Sequence, residues 1–393
     1  MHMATKKDIF KEKLRDYLKA DKGRKGEILD AVLEVTGMGR KSAIRRFRRV
    51  QLRDPATEEK RGRPRYYTPD VIAALHAIWE IGSEACAENL HPMIAEHIAI
   101  QIQAHDWNHS DEATAKLRAM SLGSVKAYLR GFTRDRLCFG GKGTTRRSSV
   151  MAMVPVRMDG WDTAEAGVVQ VDTVAHCGDT TAGDFVYTVN GADVATLWGS
   201  RRAQWQKGQE ATRESLAAMR ADTPFPWTEM HPDSGSEFIN RHCIAYADTT
   251  GLRMTRSRPN RKNDNCFVEE RNGHVVRVYV GYARLDTRET VAALNALYDV
   301  LTPYLNHFIA SRRIVSKERI GARWKVTREK VARTPYQRVL ARDDVTEEVK
   351  IRLRIEHAAL NPKTMRADID RLANRVHALQ QRYGAPRKIS KTI

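Results

Sequence analysis

The chain has 393 residues, and its 67 Lys and Arg outnumber 48 Asp and Glu to give a formal charge of +19. That length excludes a single small module, and that charge implies a polyanionic partner, nucleic acid first. Five scattered cysteines (Cys86, Cys138, Cys177, Cys243, Cys266), none in a C-x-x-C pair, argue against a disulfide framework and a structural zinc site.

Basicity is concentrated at the N-terminal end, where residues 1–65 hold 20 Lys and Arg against 10 Asp and Glu. Residues 6–19 carry Ile9, Phe10, Leu14 and Leu18 at helical spacing, and a second helix is predicted over 27–35. "TGMG" breaks it. In "RKSAIRRFRRV" the residues Ile44, Phe47 and Val50 then share one face, while Arg40, Lys41, Arg45, Arg46, Arg48 and Arg49 occupy the rest. Helix, glycine turn and basic helix form a helix-turn-helix layout, whose second helix enters the DNA major groove; a solvated helix face is the alternative. "KRGRPRYYTPD" follows, with Arg61, Arg63 and Arg65 placed like an arm for a narrow minor groove, or else as a basic linker.

Residues 69–104 read as apolar helices. "KLRAMSLGSVKAYLRGF" reads as a second helix-turn-helix, capped by Ser124 and presenting Lys126 and Arg130. The Gly-, Ser-, Thr- and Arg-rich stretch 139–150 is the expected linker. Strands are predicted at 166–176, 184–193 and 194–200, a helix at 209–221, a short strand in "WTEMHPD", a helix over 236–251 and a fifth strand in "LRMTRS". Three strands followed by alternating helix and strand describe a mixed α/β sheet covered by helices.

Three carboxylates stand out within that outline. Asp172 lies on the first strand, on the face opposite Val169 and Val171; Asp233 follows the fourth strand; Glu269 lies near the start of a helix through "CFVEERNGHVVRVYVGY". Converging carboxylates with no His or Cys set suit Mg²⁺ or Mn²⁺, and a two-ion site supports phosphoryl transfer. Neighbouring residues have plainer readings. His176 and Cys177, or His242 and Cys243, face opposite ways if on strands; Asp179, Asp184 and Asp193 suit turns; Glu237 suits a supporting role.

Thirty-five residues separate Asp233 from Glu269. With that interval, the blocks "VQVDTVAHCGD", "DSGSEFIN", "TRSRPNRKNDNCFVEERN", "GYARLD" and "ARTPYQRVL" resemble a bacterial insertion-sequence transposase of the DDE type, over roughly residues 115–340. Ser234 stands where the family commonly has Asn, and Gly273 where this subgroup tends to have Trp.

The resemblance implies a ribonuclease H-like core shared with retroviral integrases, in which Asp172, Asp233 and Glu269 hold two Mg²⁺ or Mn²⁺ ions. Water frees a 3′-OH at the element's end, and that 3′-OH attacks target DNA. The implied partners are double-stranded DNA, as terminal inverted repeats and as target, and further copies of the chain in a homo-oligomer on DNA. Arg256, Arg258, Arg261 and Lys262 precede the third acid and are expected to position DNA, with a solvated loop as the alternative.

The expected organisation is a helix-turn-helix domain (1–65), a helical region with a second helix-turn-helix (66–138), the linker (139–150), the ribonuclease H-like core (151–310), a small basic subdomain (311–345) and C-terminal helices (346–393). The fold class is thus multidomain: all-α helix-turn-helix units, a central α/β core, and a C-terminal β and helical region. In the last segment Asn361 and Pro362 open a helix whose Met365, Ile369, Leu372, Val376 and Leu379 form a stripe for packing within the chain or for dimerisation. No apolar run approaches the roughly 18 residues that span a bilayer, and "MHMATKKDIFKEK" lacks the apolar core of a signal peptide, so a cytoplasmic, nucleoid-associated protein without membrane contact is expected. Two readings compete with a transposase: a metal-dependent nuclease or resolvase of the same fold, and a transposase-derived DNA-binding regulator.

Overall fold

The computed structural model describes residues 3–52, 66–132, 153–157, 161, 165–233, 235–258, 264–320 and 323–384. The chain divides into two compact units, Met1–Tyr66 and Tyr67–Ile393. The linker expected at 139–150 lies outside the described residues, as do Arg61, Arg63, Arg65, Ser234, Arg261 and Lys262.

The first unit contains α1 (Met3–Lys19), α2 (Lys22–Thr36) and α3 (Arg40–Gln51). Asp21 caps α2 by accepting from the Arg24 N–H at 2.8 Å, so this helix starts five residues before its apolar periodicity does. Gly37 ends it at φ 64°, a left-handed conformation suited to glycine, and donates its N–H to the Leu33 carbonyl. The core is Phe10, Leu29, Val32, Ala43 and Phe47. Phe47 stacks on Tyr17 with centroids 4.1 Å apart and meets Phe10 edge-on at 4.8 Å. Phe47 and Val50 face that core as expected, but Ala43 is buried in place of Ile44, which is 42% exposed among the arginines.

The second unit opens with α4 (Pro69–Ile81), α5 (Ala87–Leu90), a 3₁₀ turn (His91–Met93), α6 (Ile94–Gln103), α7 (Asp111–Arg118) and α8 (Leu122–Phe132). These helices enclose Val71, Leu75, Ile78, Trp79, Leu117 and Leu129. Helix α8 begins three residues earlier than expected, because the Ser121 hydroxyl, rather than Ser124, accepts the free N–H of Ser124.

The central sheet has five strands, β1 (Val168–Ala175), β2 (Val186–Asp193), β3 (Gly199–Trp205), β4 (Glu229–Pro232) and β5 (Arg253–Met254), in the order β3-β2-β1-β4-β5. β1, β2 and β3 are antiparallel neighbours; β4 runs parallel to β1, and β5 to β4. One face packs α9 (Gln209–Ala221) and α10 (Arg241–Thr249) over Val169, Val171, Val189 and Met230. The other carries α11 (Cys266–Arg271), a π-helical turn (Asn272–Arg277), α12 (Val278–Val280) and α13 (Arg288–Phe308), packed over Val174 and Val186.

The third strand starts at Gly199 instead of 194 because Asp193 ties the intervening residues into a turn. Its carboxylate accepts from Gly167 N at 2.8 Å, and from Thr196 N and Thr196 Oγ1 at 2.7 Å each. The helix expected over 236–251 is confined to α10, where the Asn240 side chain accepts from Cys243 N.

Beyond the core lie β6 (Ile314–Ile320), β7 (Arg323–Arg328), α14 (Pro335–Leu340), α15 (Glu347–Ala359) and α16 (Pro362–Tyr383). Met365, Ile369, Leu372 and Val376 of α16 are buried with α13 in the larger core cluster, so this stripe is spent within the chain. The architecture is a helical N-terminal region, a mixed five-stranded α/β core and C-terminal helices. Among the described residues no helix is long and apolar enough to cross a membrane.

Candidate active site

Strand pairing brings the two aspartates together. β1 and β4 run parallel with Val171 opposite Pro232, so the next positions along that register are Asp172, within β1, and Asp233, just past the end of β4. Asp172 accepts from Thr173 N and from Asn272 Nδ2, both at 2.7 Å, and Asn190 Nδ2 in turn donates to Asn272 Oδ1 at 2.9 Å. Asp233 accepts from Gly235 N at 2.8 Å. Taken as whole residues, both aspartates are half-buried.

The electrostatics of the pair are unfavourable. Burial first, and then the neighbouring Asp233, push Asp172 up to about 8; Thr173 N–H and Asn272 only partly offset this. Asp233 is pushed up to about 6 by burial, then by Glu237, with a smaller upward contribution from Glu269 and a downward one from Lys207.

Glu237 approaches from the other side of β1. It is buried, accepts from Thr173 Oγ1 at 3.1 Å, and faces Lys207 Nζ at 3.6 Å. Thr173 and Asp172 alternate across the strand, so Glu237 stands behind Asp233 rather than beside Asp172. Both carboxylates crowd Gly235: a Cβ there would lie 2.8 Å from Asp233 Oδ1 and 2.7 Å from Glu237 Oε2, so a larger residue would displace these side-chain ends.

Helix α11 is fastened over the acidic face by Gln170, whose side chain alternation along β1 places on the same face as Asp172. Its Oε1 accepts from Phe267 N at 2.9 Å and Val268 N at 3.2 Å, two free donors of the helix's first turn, and its Nε2 donates to the Asp264 carbonyl. The signal was available as a polar residue two positions before Asp172 on an otherwise apolar strand. Asn272, three residues after Glu269, reaches Asp172. Residues three apart share a helix face, so Glu269 lies on the Asp172 side, in keeping with its effect on Asp233. Glu269 and Glu270 are both exposed, and Glu270 favours the charge on Arg271, whose Nη2 donates to the Leu197 carbonyl at 3.1 Å. The π turn begins at Asn272 itself; such wide turns recur where a helix must present side chains to a site.

Oxygen donors carrying net negative charge fit Mg²⁺ or Mn²⁺ in kind. In spacing they fall short: among the described residues no group of three or more His, Cys, Asp and Glu side chains is close enough together to hold an ion. The two aspartates converge, and Glu269 stands further out.

The cations expected near the site are largely engaged by the fold. Arg258 is clamped on Asp264, with Nε to Oδ2 at 2.9 Å and Nη2 to Oδ1 at 2.8 Å. Arg256 Nε donates to the Val154 carbonyl at 2.9 Å. Lys126 on α8 pairs with Glu88 at 2.8 Å, while Arg130 is exposed. In the first unit Arg40 pairs with Asp30, Arg46 is half-buried, and Lys41, Arg45, Arg48 and Arg49 are exposed along α3. His176 and His231 are buried on Thr188 and on Thr255 with Ser257, and burial pushes both well below the usual histidine range, as expected of neutral core residues.

No protein-family model matches the chain. It is 35% identical over 329 residues to the uncharacterized protein y4rM of Sinorhizobium fredii (strain NBRC 101917 / NGR234), an alignment covering 82% of this chain and 91% of y4rM. A superposition on the catalytic core domain of BIV integrase covers 36% of this chain and 84% of that one, at 11% identity and a TM-score of 0.27. Agreement that loose carries no argument about chemistry.

Proposed function

The chain belongs to the family of the Sinorhizobium fredii protein y4rM, and we propose that it is a DDE transposase that binds the terminal inverted repeats of a mobile element and joins the element's 3′ ends to target DNA. One observation carries this reading. Two carboxylates are held side by side where β1 and β4 run parallel, both raised by burial, Asp172 further by Asp233 and Asp233 further by Glu237, with no cation bonded to either among the described residues. A fold tolerates such a pair when the site exists to receive positive charge.

Asp172 and Asp233 would hold the metal, and Glu269, on the same helix face as Asn272, would complete its shell. Bound there, Mg²⁺ or Mn²⁺ would supply Lewis-acid activation of the attacking oxygen and stabilisation of the leaving one. The chain's own residues do the positioning. Asn272, itself held by Asn190, fixes the rotamer of Asp172; Gln170 fixes α11 and thereby Glu269. Lys207 and Glu237 flank Asp233 from behind. In the proposed reaction water cleaves a phosphodiester to leave a 3′-OH, which then displaces a target phosphodiester oxygen. One phosphodiester is exchanged for another and no nucleotide triphosphate is consumed. The exposed cations of α3 supply the sequence-independent part of DNA affinity.

The test is a strand-transfer assay with Mg²⁺ on a duplex ending in the element's terminal repeat, comparing wild type with Asp172→Ala, Glu269→Gln and Glu270→Gln. Joined product from wild type and Glu270→Gln, but from neither of the others, is the expected result. Cleavage without joining would convert the assignment to a nuclease. Binding without cleavage would favour a DNA-binding regulator, the reading that the outlying position of Glu269 supports. Equal losses in Glu269→Gln and Glu270→Gln would remove the helix-face assignment.

A further inference from the structure

Residues 311–330 contain eight Lys and Arg against two Glu, and the strands they form, β6 and β7, make a two-stranded antiparallel ribbon that, among the described residues, joins no larger sheet. Such a ribbon is marginal in water unless another surface covers it. Here large apolar side chains are largely exposed to solvent: Val315 is 66% exposed, Ile320 60% and Trp324 57%.

The register sorts the charges by face. Arg319 is paired with Trp324, and Ile314 with Arg328. Alternation places Val326 on the face of Trp324 and Arg328, and sends Glu318, paired with Lys325, to the other face. The second acid, Glu329, is turned into the fold, where it accepts from both Nη atoms of Arg338, at 2.7 and 2.5 Å, and from Arg313 N at 3.0 Å. The face bearing Arg319, Trp324, Val326 and Arg328 therefore contains no acid.

We propose that this face of the β6–β7 ribbon is a second docking surface for duplex DNA, separate from α3. Its arginines would meet phosphates, and Trp324 with Val326 would lie against sugar and base edges. A two-stranded ribbon fits a major groove about 12 Å wide. Charge selects this occupant over a second copy of the chain: two such faces apposed would set arginine against arginine with no acid between them. The inference rests on the reading that this protein acts on DNA, and deepens it.

The experiment measures binding of the full-length protein, without divalent ion, to a fluorescent duplex of about thirty base pairs across a salt series. The variants are Arg319→Glu combined with Arg328→Glu, Trp324→Ala, and, on the opposite face, Ile320→Ser. Each side chain is exposed, and unchanged melting temperatures will establish folding. The double arginine variant is expected to bind at least about tenfold more weakly at 150 mM salt, with a log–log salt slope lower by about 2. Trp324→Ala should lose about tenfold with its slope unchanged, and Ile320→Ser less than twofold. Wild-type affinity and slope in both ribbon-face variants would overturn the proposal. So would unchanged DNA binding accompanied by a loss of self-association in light scattering, which would make the ribbon a protein contact. Because joining is assayed separately, normal DNA binding without strand transfer would sink the transposase reading alone; no binding by wild type would sink both.

Discussion

Replacing Asp172 by asparagine should make the metal-free protein more stable at pH 8, although it removes a residue central to the site. An aspartate titrates near 3.9 in an unfolded chain, whereas folding pushes Asp172 up to about 8. A group raised on folding contributes stability below its unfolded value, and that contribution is lost as pH rises through the folded one. At pH 7 the folded protein still holds a proton that the unfolded chain releases. Across about three pH units, at 1.36 kcal/mol each, the loss is about 4 kcal/mol. The effective dielectric around such groups in proteins is well above that of a dry interior, which sets the lower bound at about 2 kcal/mol.

Asparagine fits the same contacts if the amides beside it reverse. Asn272 can turn its oxygen toward residue 172, and Asn190 Oδ1, which has no partner in the structure, can then accept from Asn272. The assay is thermal melting in EDTA at pH 5 and pH 8. At roughly 2 °C per kcal/mol, wild type should lose about 4 to 8 °C more than the variant between those values. Mn²⁺ should restore wild type at pH 8 and leave Asp172→Asn unmoved. Parallel pH profiles for the two proteins would place Asp172 at its ordinary pKa and refute the account of a strained pair.

Asn272→Ala should lower strand transfer by about 10- to 100-fold through loss of Asp172 positioning, while melting falls by the equivalent of about 1–2 kcal/mol; Asn272→Asp, which sets a third charge on the pair, should not rescue it. Phe47→Ala removes the ring stacked between Tyr17 and Phe10 and should cost about 3–5 kcal/mol. In calorimetry this should lower or abolish the transition of the first unit and leave that of Tyr67–Ile393 in place. Replacing Arg45, Arg48 and Arg49 together by alanine should weaken binding to unrelated duplexes in the same proportion as to the terminal repeat, and lower the salt slope by up to about 3; a selective loss for the repeat would show that these side chains read bases.

Local chemistry made much of the molecule legible. Apolar alternation marks β1 and β2, and helical spacing marks α9 and α16, because burial on one face writes a period of 2 or 3.6 into the chain. The intervals between Asp172, Asp233 and Glu269 were equally visible, since spacing along the chain is a property of the sequence itself. The sequence could not show which side chains spend their charge inside the fold. Arg258 and Lys126 read as free cations until Asp264 and Glu88, far from obvious as partners in one case and 38 positions away in the other, are brought against them. Asp193 moved the start of β3 by gathering donors from both ends of a turn, and Phe47 turned Ile44 outward by stacking on α1. The paired glutamates divide along the same line. Their helix, its polarity and their adjacency belong to the sequence alone. That Glu269 shares a face with Asp172 while Glu270 turns toward Arg271 follows only once Gln170 ties α11 across β1, because a helix's rotation about its axis is set by what it docks on and not by its own residues.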